Sequence, residues 1–211
     1  MEAIRMMNVN KTIKKRPILN GINLSLTGGK IYGFFGRNGS GKTMLFRSIC
    51  GLIKPTTGEI YVFNKKLGSD ISFPESLGVI IEAVGFWPQF TGLENLKIIA
   101  SIKNIIDEEQ IKKSIARLEL DPDDKRNYSK YSLGMKQRLG IAQAIMEQPD
   151  LIVLDEPTSS IDEEGVELVR RILLEEKERG ATILIASHNK EDIEYLADEK
   201  FKMENGHLHR V

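Results

Sequence analysis

At 211 residues the chain is long enough to bury a sizeable core as one domain, with room for an inserted lobe. Its 30 basic residues balance 30 acidic ones, so it has no basic field for sequence-independent nucleic-acid binding. One cysteine, Cys50, excludes an internal disulfide framework, and no apolar run approaches the roughly 18–20 residues of a membrane span. The opening residues 1–9 mix charged and apolar side chains as a strand does and show no secretory signal.

Up to about Glu82 the pattern is strand-rich, with Gly28-Gly29 and Pro55-Thr56-Thr57-Gly58 as turn signals. Within that stretch the apolar run 31–35 leads into Gly36-Arg37-Asn38-Gly39-Ser40-Gly41-Lys42-Thr43, and residues 44–50 read as a helix. A strand, a Gly-rich loop and a helix in that order are the setting of a P-loop. Glycines let successive backbone N–H groups converge on one anion, and the following helix adds its unpaired donors and positive dipole end. Every residue from Gly36 to Thr43 is then a candidate nucleotide contact. Lys42 would neutralise the β- and γ-phosphates, and the Thr43 hydroxyl would ligate Mg²⁺. Cys50, on the helix after the loop, reads as a small buried apolar residue.

From about 83 to 147 the periodicity is helical, and Thr91…Glu94 and Asp107…Gln110 both read as capping pairs. Alternation then returns: strand 151–155, helix 162–178 ending near Gly180, strand 182–186, helix 190–197. A β-α-β order implies parallel strands joined by crossover helices. The run Leu151-Ile152-Val153-Leu154-Asp155-Glu156 is an apolar strand ending in two acids. In a P-loop protein this puts Asp155 where it holds Mg²⁺, and Glu156 beside the γ-phosphate, where it polarises an attacking water. His207 and His209 read as solvated residues of a polar tail.

With those residues in view, the chain resembles an ABC transporter ATP-binding subunit over nearly its whole length. Tyr131-Ser132-Leu133-Gly134-Met135-Lys136-Gln137-Arg138 resembles the family signature, usually Leu-Ser-Gly-Gly-Gln. The resemblance implies a P-loop NTPase (RecA-like) α/β core with an antiparallel β subdomain and an inserted α-helical subdomain. The core would comprise 1–82 and 148–211, and the helical subdomain 83–147. It further implies that two subunits sandwich two ATP molecules, Ser132 and Gly134 facing the γ-phosphate bound to the opposite subunit. Ser159-Ser160-Ile161-Asp162 is similar to the D-loop across that interface, and Asp162 also serves as a helix cap. His188 matches the switch histidine that contacts the γ-phosphate.

Three positions depart from the family pattern. Glu82 stands where most relatives have a glutamine that touches Mg²⁺, with Gln89 as the lesser alternative. Leu133 replaces the first signature glycine, which calls for a helical or extended backbone there. Ile13 stands where an aromatic residue usually stacks on adenine, losing about 1 kcal/mol of π-stacking.

The signature form and Glu82 resemble the subgroup of bacitracin, lantibiotic-immunity and multidrug exporters. In that subgroup the ATPase is a separate polypeptide, peripheral on the cytoplasmic face of the membrane. The expected partners are a second ATPase subunit and membrane permease subunits, which would dock around Glu82 to Phe90. The aromatic segment Phe86-Trp87-Pro88-Gln89-Phe90 could equally form a small core for the helical lobe. The competing functions are a soluble ABC ATPase acting on ribosomes or nucleic acid, and an ATPase serving an importer.

Overall fold

The computed structural model describes residues 1–82 and 85–211. Two long strands, β1 (Glu2–Ile13) and β2 (Arg16–Thr27), form an antiparallel hairpin turned by Lys14 and Lys15 at φ 46° and 65°. Next come β3 (Ile31–Phe35) and α1 (Lys42–Ile49), then β4 (Thr57–Val62), β5 (Lys65–Lys66) and β6 (Leu77–Ile80). The helices α2 (Gly92–Lys103), α3 (Glu108–Arg117) and α4 (Leu133–Ile145) follow. The chain closes with β7 (Leu151–Asp155), α5 (Glu163–Glu178), β8 (Thr182–Ala186), α6 (Lys190–Leu196), β9 (Glu199–Glu204) and β10 (His207–Arg210).

The strands form two sheets. One is antiparallel with order β2-β1-β4-β5, and the other has order β10-β9-β3-β8-β7-β6. In the second, β9, β3, β8, β7 and β6 run parallel, and β10 is antiparallel to β9. Every residue of β7 and β8 is buried, because a central parallel strand is covered on both faces. The pleat divides them between two cores. Ile152, Leu154, Ile183 and Ile185 join the cluster under α2 to α5. Val153, Leu184 and Ala186 join Phe34, Phe46 and Phe201 in the cluster between the two sheets.

The local signals for the helices hold. Thr91 and Asp107 each cap their helix through a full capping box, with Glu94 and Gln110 closing back on the cap backbone. Asp162 accepts from the Gly165 N–H at 3.1 Å and starts α5. One expectation is corrected: residues 199–210 are a hairpin rather than a polar tail. Its charged outer face hid the alternation that buries Phe201 and Met203, and Phe201 stacks on Phe34 with centroids 5.2 Å apart. His207 and His209 are exposed on β10, as the polar reading required.

Candidate nucleotide site

The phosphate-binding loop leaves β3 and enters α1. Gly41 precedes the helix at φ 113°, a backbone that side chains rarely adopt, and a Cβ there would lie 3.0 Å from the Ile18 carbonyl. At Gly36 a Cβ would lie 2.2 Å from the Met203 carbonyl. Glycine at these points lets the loop curl tightly against β2 and β9. Lys42 is buried, and its Nζ donates to the Gly36 carbonyl at 2.9 Å, a neutral acceptor for a full charge. The Ser40 hydroxyl is also buried, and among the described residues it has no hydrogen-bond partner. A buried cation on a neutral acceptor beside an orphaned hydroxyl fits an incoming phosphate.

The loop opens on a cleft of about 1150 Å³ whose walls include Arg16, Lys42, Thr43, Glu82, Asp155 and Glu156. Asn38, Gly39, Ser40 and Gly41 line it as well, whereas Arg37 is exposed outside it. Thr43 Oγ1 donates to Asp155 Oδ2 at 2.7 Å. Burial pushes the Asp155 carboxyl above its usual range, the Thr43 hydrogen bond and the Lys42 charge oppose that, and Glu82 adds to it. Hydroxyl and carboxylate oxygens are the hard donors Mg²⁺ prefers. Among the described residues no group of three or more His, Cys, Asp or Glu side chains could hold a metal. A magnesium ion would therefore need phosphate oxygens to complete its shell.

Glu156 leaves β7 at φ 54° and donates its backbone N–H to the Ala186 carbonyl at 2.8 Å, tying the ends of β7 and β8. Its side chain is gripped twice by the next loop. Oε1 accepts from the His188 backbone N–H at 2.9 Å, and Oε2 meets His188 Nδ1 at 2.6 Å. Gln137 Nε2 donates to the Glu156 and Pro157 carbonyls, both at 3.1 Å. The sequence reading passed over Gln137, because only the packing of α4 against the β7 loop gives it a task.

The other predicted residues are spread around this centre. Ser132 caps α4 by accepting from the Met135 N–H at 3.1 Å, and Leu133 is the first helical residue, 69% exposed. Gly134 faces the Ser160 carbonyl, 3.2 Å from where a Cβ would stand. Ser132 and Gly134 do not line the cleft of their own chain, although Leu133 does. Ile13 is also absent from the wall; it pairs across the hairpin with Arg16, and Arg16, Pro17 and Ile18 form that end of the cleft. The hairpin brings them in, a placement that a reading of single positions along one strand misses.

Glu82 sits at φ 64°, 59% exposed in its side chain, and pairs with Arg47 of α1 at 2.8 Å. Of the segment 82–90, Ala83 and Val84 lie outside the described residues. Phe86 is buried and packs edge-on against Tyr128 at 5.3 Å, so this ring belongs to the core under α2 to α5. Trp87 is 44% exposed and Gln89 is exposed, on a loop that Asn95 holds through the Trp87, Phe90 and Thr91 carbonyls. Burial raises the Cys50 thiol to about 12, leaving it inert.

The family model "ABC transporter" matches residues 19–159. The ABC transporter ATP-binding protein YybJ of Bacillus subtilis is 52% identical over 97% of this chain and 94% of its own length. The bacitracin transport ATP-binding protein BcrA of Enterococcus faecalis is 39% identical over 98% of this chain and 68% of its own. The lantibiotic transport ATP-binding protein SrtF of Streptococcus pyogenes is 35% identical over 92% of this chain and 84% of its own. Among solved structures, the dimeric post-hydrolysis state of the cassette MJ0796 bound to ADP and Pi superimposes with a TM-score of 0.88. It covers 98% of both chains at 22% identity, a likeness of fold.

Proposed function

The chain belongs to the ABC transporter family as an ATP-binding and ATP-hydrolysing subunit, and on that premise we propose that it powers export of a peptide antibiotic or similar compound through separate membrane permease subunits. Relatives named for bacitracin and lantibiotic transport support the substrate class. No helix among the described residues is long and apolar enough to cross a membrane.

The reading rests above all on the convergence of the P-loop, Asp155 and Glu156 on one cleft. In the mechanism we propose, the amides of residues 38–43 and the Ser40 hydroxyl hold the phosphates, and Lys42 exchanges the Gly36 carbonyl for phosphate oxygens. Thr43 and Asp155, with Glu82 as a further candidate, would hold Mg²⁺, which supplies charge neutralisation on the β- and γ-phosphates. Ser132 and the first amides of α4 serve the nucleotide of a second subunit, since Ser132 and Gly134 do not line their own chain's cleft. Glu156 takes a proton from water as the water oxygen bonds to the γ-phosphorus and the bridge to ADP breaks. His188 positions the Glu156 carboxylate and bears on the same phosphoryl group. Once phosphate leaves, the tie between the subunits goes and they part. Trp87, Pro88 and Gln89, the exposed residues next to the buried Phe86, would pass that motion to the permease.

Glu156→Gln tests the reading. It should still bind ATP, should lose turnover by at least about 100-fold, and should run as an ATP-trapped dimer on a sizing column. Full ATPase activity in this variant would remove Glu156 as the base.

A further inference from the structure

Glu156 and His188 grip one another across two loops, yet His188 is 68% exposed in its side chain. Their grip needs a foundation, and a buried tie lies just beyond both residues. Thr158, two residues after Glu156, donates Oγ1 to Asp192 Oδ2 at 2.5 Å. Asp192, four residues after His188, lies in the first turn of α6 and is 1% exposed.

Its other oxygen is held from α5. Oδ1 accepts from Arg170 Nε at 3.0 Å and from Nη2 at 2.6 Å. Arg170 is itself fixed, with Nη1 on Glu167 Oε1 at 2.6 Å and the guanidinium 5.0 Å from the centre of the Tyr195 ring. A carboxylate removed from water this completely stays charged only when paired, and an apolar contact would have packed α5 against α6 at less desolvation cost. What the ionic arrangement adds is direction: three hydrogen bonds set where the two loops stand relative to one rigid helix.

We propose that Asp192 is a positioning residue for hydrolysis, acting through Thr158 to make segments 156–160 and 188–192 move as one body. The inference rests on the reading of Glu156 as the base. Glu156 stands at φ 54°, a left-handed conformation that a residue with a side chain keeps only when its surroundings hold it. The Ala186 carbonyl and Gln137 hold its backbone from one side. The Thr158–Asp192 hydrogen bond holds the following loop from the other and links it to the helix behind His188. Without it the carboxylate and the imidazole would sample separate positions, and a displacement of about 1 Å at a reacting group costs up to about 100-fold in rate.

Thr158→Val is the discriminating variant, because it preserves side-chain shape and leaves the Arg170–Asp192 pair intact. In steady-state ATP hydrolysis by the full chain, kcat should fall about tenfold while KM stays within about twofold. The thermal midpoint should drop by no more than about 3 °C. Thr158→Ser should restore most of kcat. Added to Asp192→Ala, which removes the acceptor itself, Thr158→Val should cause little further loss, since that tie is already broken. Wild-type kcat in Thr158→Val, or losses that multiply in the double variant, would overturn the proposal. Glu156→Gln run alongside separates the two failures: an active Glu156→Gln defeats the base reading, whereas an inactive one beside an unimpaired Thr158→Val defeats only the tie.

Discussion

Two acidic strand ends face the same cleft and are held very differently. At the end of β7, Asp155 is buried and bonded to Thr43, and Glu156 is fixed through Ala186, Gln137 and His188. Beyond β6, Glu82 is 59% exposed, and its ion pair is with Arg47, itself half-buried. The sheet order explains the contrast. β7 lies between β8 and β6, so its end has neighbours on both sides, while β6 is an edge strand with a neighbour on one. A carboxylate at the end of an interior strand is held from both sides, whereas one beyond an edge strand keeps more freedom.

The largest effect should come from breaking the rigid end. His188→Ala should lower turnover about 100-fold with ATP affinity preserved, read by steady-state kinetics and nucleotide titration. Retention of more than about a third of the wild-type rate would leave the couple outside the reaction.

Next comes the edge strand that leads to Glu82. At Gly78 in β6 a Cβ would lie 1.8 Å from the Ala144 carbonyl of α4, a backbone contact that cannot yield. Gly78→Ala should cost about 3 kcal/mol in urea unfolding. A neutral result would mean that β6 is not packed tightly against α4 at Gly78.

The smallest effect belongs to the Glu82–Arg47 pair. Arg47→Ala should change stability by less than about 1 kcal/mol and the maximal rate by no more than about fivefold. With Glu82 freed, the Mg²⁺ concentration giving half-maximal rate should fall, and Glu82→Gln should raise it. The same magnesium dependence in both variants would place Glu82 off the metal.

Much of this was legible along the chain, because the signals were local. The P-loop, the two capping boxes, β7 and β8 each depend on residues that are neighbours in sequence. Capping geometry and strand burial follow from spacing alone. The hairpin β9–β10 was not legible, because charged outward residues masked the few inward ones. Neither was the wall at Arg16 to Ile18, which needs the pairing of β1 with β2 to reach the cleft.

By itself, then, the order of amino acids determined a nucleotide-binding α/β chain, its phosphate loop and the acids at the end of one strand. Only the tertiary structure decided that Phe86 is core while Trp87 is open, that Glu82 pairs with Arg47, and that Gln137 and Asp192 brace the loops around Glu156. The physical reason is range. A motif records contacts within one turn or one loop, whereas these partners are separated by 19 to 35 residues and meet only after the sheet has set its strand order.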